Sequence, residues 1–224
     1  MTTILLDTET NGREPQEPIE VAWVELEEGP AFFLNRKTNI HIDRYKPELI
    51  STYGALATHH IMPEELRKCK PSSEAIIPPT DYLIGHNVDF DWQVMGQPPC
   101  KRICTLAMAR VVYPRVDSYS LVALSYYLRG ANLLVKDVVK NAHCALDDVA
   151  LCHWILQAIV DERYITDMES LYVFSEKCRI PEIISFGKHK GTPIWQLPKS
   201  YVQWLLRQPD LDPYLQKAIE KYCR

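Results

Sequence analysis

Apolar residues fall in two rhythms along this chain. Ile4, Leu5 and Leu6 form an unbroken apolar run that stops at Asp7, Thr8 and Glu9, the mark of a strand buried on both faces. From Pro18, "PIEVAWVELEEGPAFFLN" alternates apolar and polar positions around Glu28, Gly29 and Pro30, which predicts a hairpin paired with the strand that carries Asp7. "DYLIGHN" reads as a second buried strand running into a helix from about Val88, with "PEELRK" and "PSSEAI" as short helical starts before it. Beyond it the period changes to that of helices over 105–113 and 119–128. In "ALDDVALCHWILQAIVDE" it places Leu146, Val149, Ala150, His153, Leu156 and Ile159 on one face. From Ile183 the texture changes again: "ISFGKHKGTPIWQLPKSYVQWLLRQ" predicts a small hairpin followed by an amphipathic helix, with Trp195 and Trp204 anchoring one to the other. The order implies an α/β fold, a mixed central sheet flanked by helices over 1–170, and a small basic C-terminal hairpin-plus-helix module over 171–224.

Composition narrows the class. With 46% hydrophobic and 24% charged residues in 224, the chain is ordinary globular material rather than disordered. It has no run of 18 apolar residues and no basic stretch before an apolar one, so neither a membrane span nor a signal peptide is expected, and a cytoplasmic location is. Seven cysteines without a Cys-x-x-Cys pair argue against a disulfide framework or a thiolate zinc site. The net charge of −4 is unevenly spread: residues 171–224 carry nine Lys/Arg against five Asp/Glu, and residues 1–170 carry sixteen against twenty-four. An acidic body suits a protein that concentrates divalent cations, and a basic tail suits one that grips polyanions.

Taken singly, each acid of interest has a plain role as a helix cap, a turn residue or a wet helical face. Together they end buried elements. Asp7 and Glu9, two apart on a strand, project to one side; Asp91 follows the second buried strand by about one helical turn; Asp148 stands five residues after His143 at the head of the long helix. Carboxylates converging there would repel one another unless cations lay between them. Two hard divalent ions, Mg²⁺ or Mn²⁺, held by such oxygens can clamp the attacking and leaving oxygens of a phosphodiester, and a neutral histidine beside them can take the proton of the attacking water.

"LLDTETNG", "GHNVDFD" and "HCALDD" resemble, in order, the three motifs of the DEDDh superfamily of 3′→5′ exonucleases. "ALATHHI", "CTLAMARVVYP", "SLVALSYYL" and "FGKHKGTPIWQLPKSYVQWLL" extend the resemblance, along nearly the full length, to bacterial exodeoxyribonucleases of that superfamily. The resemblance implies an RNase H-like fold and a two-metal 3′→5′ exodeoxyribonuclease that releases nucleoside 5′-monophosphates from DNA 3′ ends, single-stranded or frayed, in repair or recombination. It makes Asp7 the bridging ligand, puts Glu9 and Asp148 on one ion and Asp91 on the other, and makes His143 the general base. The family spacing from histidine to acid selects Asp148 over Asp147. It puts Thr8, Asn11 and Gly12 over the metals and Arg13 where the family has an apolar residue against the terminal base. His59 matches a histidine near the 3′-terminal nucleotide, with a plain surface histidine as the alternative. Glu20 reads as support beside the first strand, and His86 with Asn87 as a structural pair. Lys188 and Lys190, between Gly187 and Gly191, read as phosphate contacts or, alternatively, as solvated charges on a hairpin that pads the core. The rival functions are an RNA-trimming exoribonuclease of the same superfamily and a polymerase-associated proofreading or binding subunit.

Overall fold

The computed structural model describes residues 1–27, 36–140, 144–184 and 186–223. It contains β1 (Thr3–Thr10), β2 (Pro18–Glu27), β3 (Arg36–Lys46), α1 (Tyr53–His59), β4 (Lys70–Pro71), β5 (Tyr82–Gly85), α2 (Val88–Val94), β6 (Lys101–Cys104) and α3 (Thr105–Val112). After these come α4 (Leu121–Arg129), α5 (Leu133–Val139), α6 (Ala145–Arg163), α7 (Met168–Arg179), α8 (Lys199–Leu205) and α9 (Pro213–Tyr222). The strands form one mixed sheet in the order β4-β3-β2-β1-β5-β6. β1, β2 and β3 run antiparallel, and β1, β5 and β6 run parallel. The chain packs as two compact units, Met1–Ser175 and Glu176–Arg224.

In the first unit, Ile4 and Leu6 face Val21 and Leu83 and pack under Val88 of α2. Leu5 points the other way and is equally buried, so both faces of β1 are covered. The second cover is α6, which packs on β1 and β2 and is nearly apolar all round, as a helix enclosed by its neighbours must be.

The two short starts predicted at "PEELRK" and "PSSEAI" do not become α-helices. Residues 63–68 are consecutive turns, and Ser72–Glu74 is a single 3₁₀ turn. Each segment is too short to offset helix nucleation, and its polar groups bond elsewhere: Glu65 accepts the Met62 N–H and meets Arg44, and the Ser72 hydroxyl donates to the Pro18 carbonyl. The first arm of the predicted hairpin is β2, paired with β1 as expected; its turn at Glu28–Pro30 and its second arm lie outside the described residues, and β2 pairs antiparallel with β3, a strand further along the chain.

In the second unit, an antiparallel bridge joins Ile183 to Pro193, and α8 and α9 close over Ile184, Ile194, Leu197, Leu205, Leu215 and Ile219. Trp195 and Trp204 were expected to anchor this unit. Each is instead half exposed, at 52% and 51%, and the anchoring is done by the aliphatic residues beneath them. No helix among the described residues is long and apolar enough to cross a membrane.

Candidate metal centre and active site

The site is built on the C-terminal half of β1. Asp7 and Glu9 share the face that α6 covers, and Asp148 comes down from the first turn of α6 to meet them. One carboxylate oxygen from each of the three lies within 4.8 Å of the others. Asp147, the neighbouring acid, is half-buried outside this group.

Burial and crowding raise the affinity of these acids for protons. Asp7 is held well above the ordinary carboxylate range, first by burial and then by the charges of Asp91, Asp148, Glu9 and Glu20. Glu9 is pushed up to about 8 by burial, then by Asp148, Glu20 and Asp91. An array of hard oxygen donors that resists ionising unless a positive charge is supplied suits a divalent cation, so the residues present can hold one.

Asp91, 3% exposed at the end of the first turn of α2, stands beside the group. Burial raises it to about 7, against the pull of two hydrogen bonds that its Oδ1 receives from Thr8, one from the N–H at 3.0 Å and one from the hydroxyl at 2.8 Å. Thr8 is itself buried, and the contact it makes is to Asp91.

A relay of charges crosses the sheet behind Glu9. The strand register sets Glu9 opposite Glu20 on β2, and Glu20 opposite Arg44 on β3. Two carboxylates face to face would destabilise the sheet, but the Arg44 Nε donates to Glu20 Oε2 at 2.7 Å. The other oxygen, Oε1, accepts the N–H of Ala145 at 3.0 Å. Glu20, 1% exposed, thus ties β3 through β2 to the N-terminus of α6, one turn before Asp148. The sequence marked Glu20 as support without showing what it holds; its place three residues into an alternating strand, facing the same way as Glu9, was the available signal.

Beside Glu9 is an open cleft of about 270 Å³, whose walls include Gly12, Gly54, Thr58, His59 and Phe90. Gly12, at φ +68°, brings the end of β1 against the start of α1: a Cβ there would lie 2.6 Å from the Thr52 hydroxyl and 2.9 Å from the Ala55 Cβ. Asn11 is wholly buried and bonded into the turn, where Oδ1 accepts the Arg13 and Glu17 N–H groups and Nδ2 donates to Glu17. Arg13 is exposed and its Nε donates to the Ile50 carbonyl at 2.7 Å. His59 is 6% exposed rather than a surface residue. Its Nδ1 accepts the Ile61 N–H, which leaves the proton of the neutral ring on Nε2, and burial lowers its pKa and keeps it neutral. That Nε2 has no hydrogen-bond partner among the described residues.

His86 bonds Thr105 through Nδ1 and the Tyr119 carbonyl through Nε2, and burial lowers its pKa to about 4. It is a neutral strut, as is the left-handed Asn87 that caps α2. His143 lies outside the described residues. Lys188 and Lys190 are both exposed on the second unit.

No family model matches the chain. Among curated proteins it is 26% identical over 225 residues to exodeoxyribonuclease 10 of Escherichia coli strain K12, covering 97% of each. Among solved structures it matches exonuclease X in complex with 5′-overhanging duplex DNA, at 26% identity and a TM-score of 0.62, over 77% of this chain and 99% of the other. The chain is similar to exonuclease X in sequence and in fold. Its mixed sheet and covering helices have the RNase H-like fold of exonuclease X. Exonuclease I of E. coli in complex with single-stranded DNA shows the same fold, at 20% identity and a TM-score of 0.55 over 77% of this chain.

Proposed function

We propose that the chain is a metal-dependent 3′→5′ exodeoxyribonuclease that hydrolyses terminal phosphodiesters of DNA to nucleoside 5′-monophosphates. The observation that carries this reading is the meeting of Asp7, Glu9 and Asp148, three acids from two elements with oxygens within 4.8 Å of one another. Nearly full-length similarity to exodeoxyribonuclease 10 supports it.

Asp7, Glu9, Asp148 and Asp91 would hold two Mg²⁺ or Mn²⁺ ions. When bound, such ions neutralise charge on the scissile phosphate and on the attacking and leaving oxygens. The chain's own residues do the rest. Thr8 fixes the Asp91 carboxylate by its two hydrogen bonds and favours its ionised form against the effect of burial. Glu20 fixes the head of α6 and thereby the height of Asp148. The 3′-terminal nucleotide occupies the cleft, whose wall includes His59 and Phe90, and Gly12 permits the close approach of α1 that forms it. Arg13, exposed one residue past Gly12 and bonded to the Ile50 carbonyl, would add positive charge for the strand. His143, which the family resemblance makes the general base, would take the proton of the attacking water. Burial of Asp91 and Asp148 strengthens the electrostatic contacts made at the acids.

The test is hydrolysis by the purified chain of 5′-labelled single-stranded DNA, gapped duplex and RNA of one sequence, in Mg²⁺, in Mn²⁺ and in EDTA. The reading requires a ladder shortening from the 3′ end on DNA with either ion and none in EDTA. A ladder on RNA alone would replace it with the exoribonuclease, and no cleavage of any substrate would leave a binding subunit.

A further inference from the structure

The second unit carries a basin of about 640 Å³ formed from its own residues: Phe186, Lys188, His189 and Gly187 on one side, Tyr201 and Trp204 on the other. The loop on the first side turns sharply at two glycines, Gly187 at φ +63° and Gly191 at φ +84°, a conformation other residues rarely adopt. It is closed by the Ile184 N–H to the Thr192 carbonyl and the Gly191 N–H to the Ile184 carbonyl, at 3.0 and 2.8 Å. Opposite, one turn of α8 sets Tyr201 and Trp204 three residues apart, with ring centroids 5.4 Å apart and planes inclined by 20°. His189 lies 4.3 Å from the Tyr201 ring, and the Lys188 ammonium 5.6 Å from it. Four rings therefore line one hollow.

Two features of the basin need a ligand to account for them. Phe186 and Trp204 keep 45% and 51% of their surface in water, although aliphatic residues directly below them are fully packed. What sets them apart from the chain's other exposed apolar residues is that they adjoin Tyr201 and His189 in one aromatic hollow. In addition, the described side chains that line the basin include the Lys188 ammonium and no acid, Lys190 is exposed two residues further along the same loop, and the segment 171–224 has nine Lys/Arg against five Asp/Glu. Flat rings beside unpaired cations match a ligand with π faces and a regular run of negative charge. Single-stranded DNA has both, and duplex DNA hides the first.

We propose that this basin is a single-stranded DNA site in which Trp204 and Tyr201 stack bases while Lys188 and Lys190 meet the phosphates. This inference rests on the nuclease reading above, which supplies the strand. It assigns the second unit a gripping role on its own residues, by a mode that tolerates any sequence because every base has a π face. A segment held there raises the local concentration of the rest of the strand for the covalently joined nuclease unit.

The test is fluorescence anisotropy of a 5′-fluorescein oligothymidylate with the full chain in EDTA, so that nothing is cleaved. Trp204→Ala should weaken binding about tenfold, within the range one stacked base contributes, and Trp204→Phe should recover most of it. Lys188→Ala with Lys190→Ala should lower the slope of log affinity against log salt by about one to two, and Trp204→Ala should leave that slope alone. Thermal unfolding of each variant shows that the fold is kept. Unchanged affinity of Trp204→Ala overturns the proposal, as does an equal loss on blunt duplex or an equal loss in Trp204→Phe. Hydrolysis of the same oligonucleotide by the unsubstituted chain in Mg²⁺ reads the nuclease assignment separately: its absence removes that assignment, whereas hydrolysis with an indifferent Trp204 removes only the basin.

Discussion

Replacing Thr8 by valine keeps the shape of the side chain and its N–H and removes only the hydroxyl that donates to Asp91 Oδ1 at 2.8 Å. Asp91 is 3% exposed, so water cannot substitute freely for the lost donor. A hydrogen bond to an ionised acceptor is worth about 1.5–3 kcal/mol, and 1.36 kcal/mol is about one pKa unit. Because the bond favours the carboxylate, its loss raises the pKa of Asp91 by about one to two units. From a starting point of about 7, Asp91 would then hold its proton through the neutral range. The acidic limb of the rate profile should therefore move to higher pH by about one to two units at fixed, subsaturating Mn²⁺, and more Mn²⁺ should be needed for half-maximal rate at neutral pH. Thr8→Ser should restore the profile. The assay is kcat/KM on one short single-stranded oligonucleotide across pH. A Thr8→Val enzyme whose profile overlays that of the parent refutes the link. So does one that raises KM equally at all pH values, since that would mean Thr8 acts on the strand and not on Asp91.

Glu20→Gln keeps one oxygen, enough for the Ala145 N–H, but turns an amide NH2 toward the half-exposed Arg44 and removes the charge of the pair; the loss should be about 2–3 kcal/mol, or roughly 4–10 °C in the unfolding midpoint, with a fall in kcat that Arg44→Gln reproduces only in part. A midpoint within a degree of the parent would contradict it. In EDTA, the proton affinity of Glu9, raised from 4.5 to about 8, makes the folded state bind more protons than the unfolded one. Stability should fall as pH rises through that window, by up to about 1.4 kcal/mol per unit before neighbouring charges share the effect, and Mn²⁺ should flatten the slope. Equal slopes with and without the ion would show that the cluster holds none. His143→Ala should lower kcat by roughly 10²–10⁴ and abolish any limb of the rate profile owed to the histidine; a retained limb would assign the base to another group.

The buried strands and the acids at strand ends were readable in the sequence because burial on both faces leaves a continuous apolar run, as in Ile4–Leu6 and Tyr82–Ile84, and α6 because its apolar stretch is too long for a strand. β6 was not readable. It spans four residues, and its charged half, Lys101 and Arg102, is accommodated by partners distant in sequence: Glu169 for Lys101, and Asp89 with the Trp92 ring for Arg102. α1 was hidden by Gly54, which weakens a seven-residue helix that depends on the Thr52 cap and on the left-handed His60 at its end. The contact of Thr8 with Asp91 was hidden for a similar reason. Its sequence position fits a turn over the site, and only the packing of α2 against β1 shows that its hydroxyl meets Asp91. In the second unit, hydrophobicity identified Trp195 and Trp204 but not their exposure, which depends on aliphatic residues filling the core first.

The central claim is that Asp7 and the acids around it form a metal-holding catalytic centre. It is tested most directly by the rate of Asp7→Asn on 5′-labelled single-stranded DNA in saturating Mg²⁺, read beside Asp148→Asn and Asp147→Asn with the fold of each checked by thermal unfolding in EDTA. The expected result is that Asp7→Asn and Asp148→Asn abolish hydrolysis while remaining folded, with Asp7→Asn at least as stable as the parent in EDTA because a repelling charge is gone, and that Asp147→Asn stays close to the parent rate. Cleavage by folded Asp7→Asn at the parent rate, or loss in Asp147→Asn with Asp148→Asn active, would contradict it.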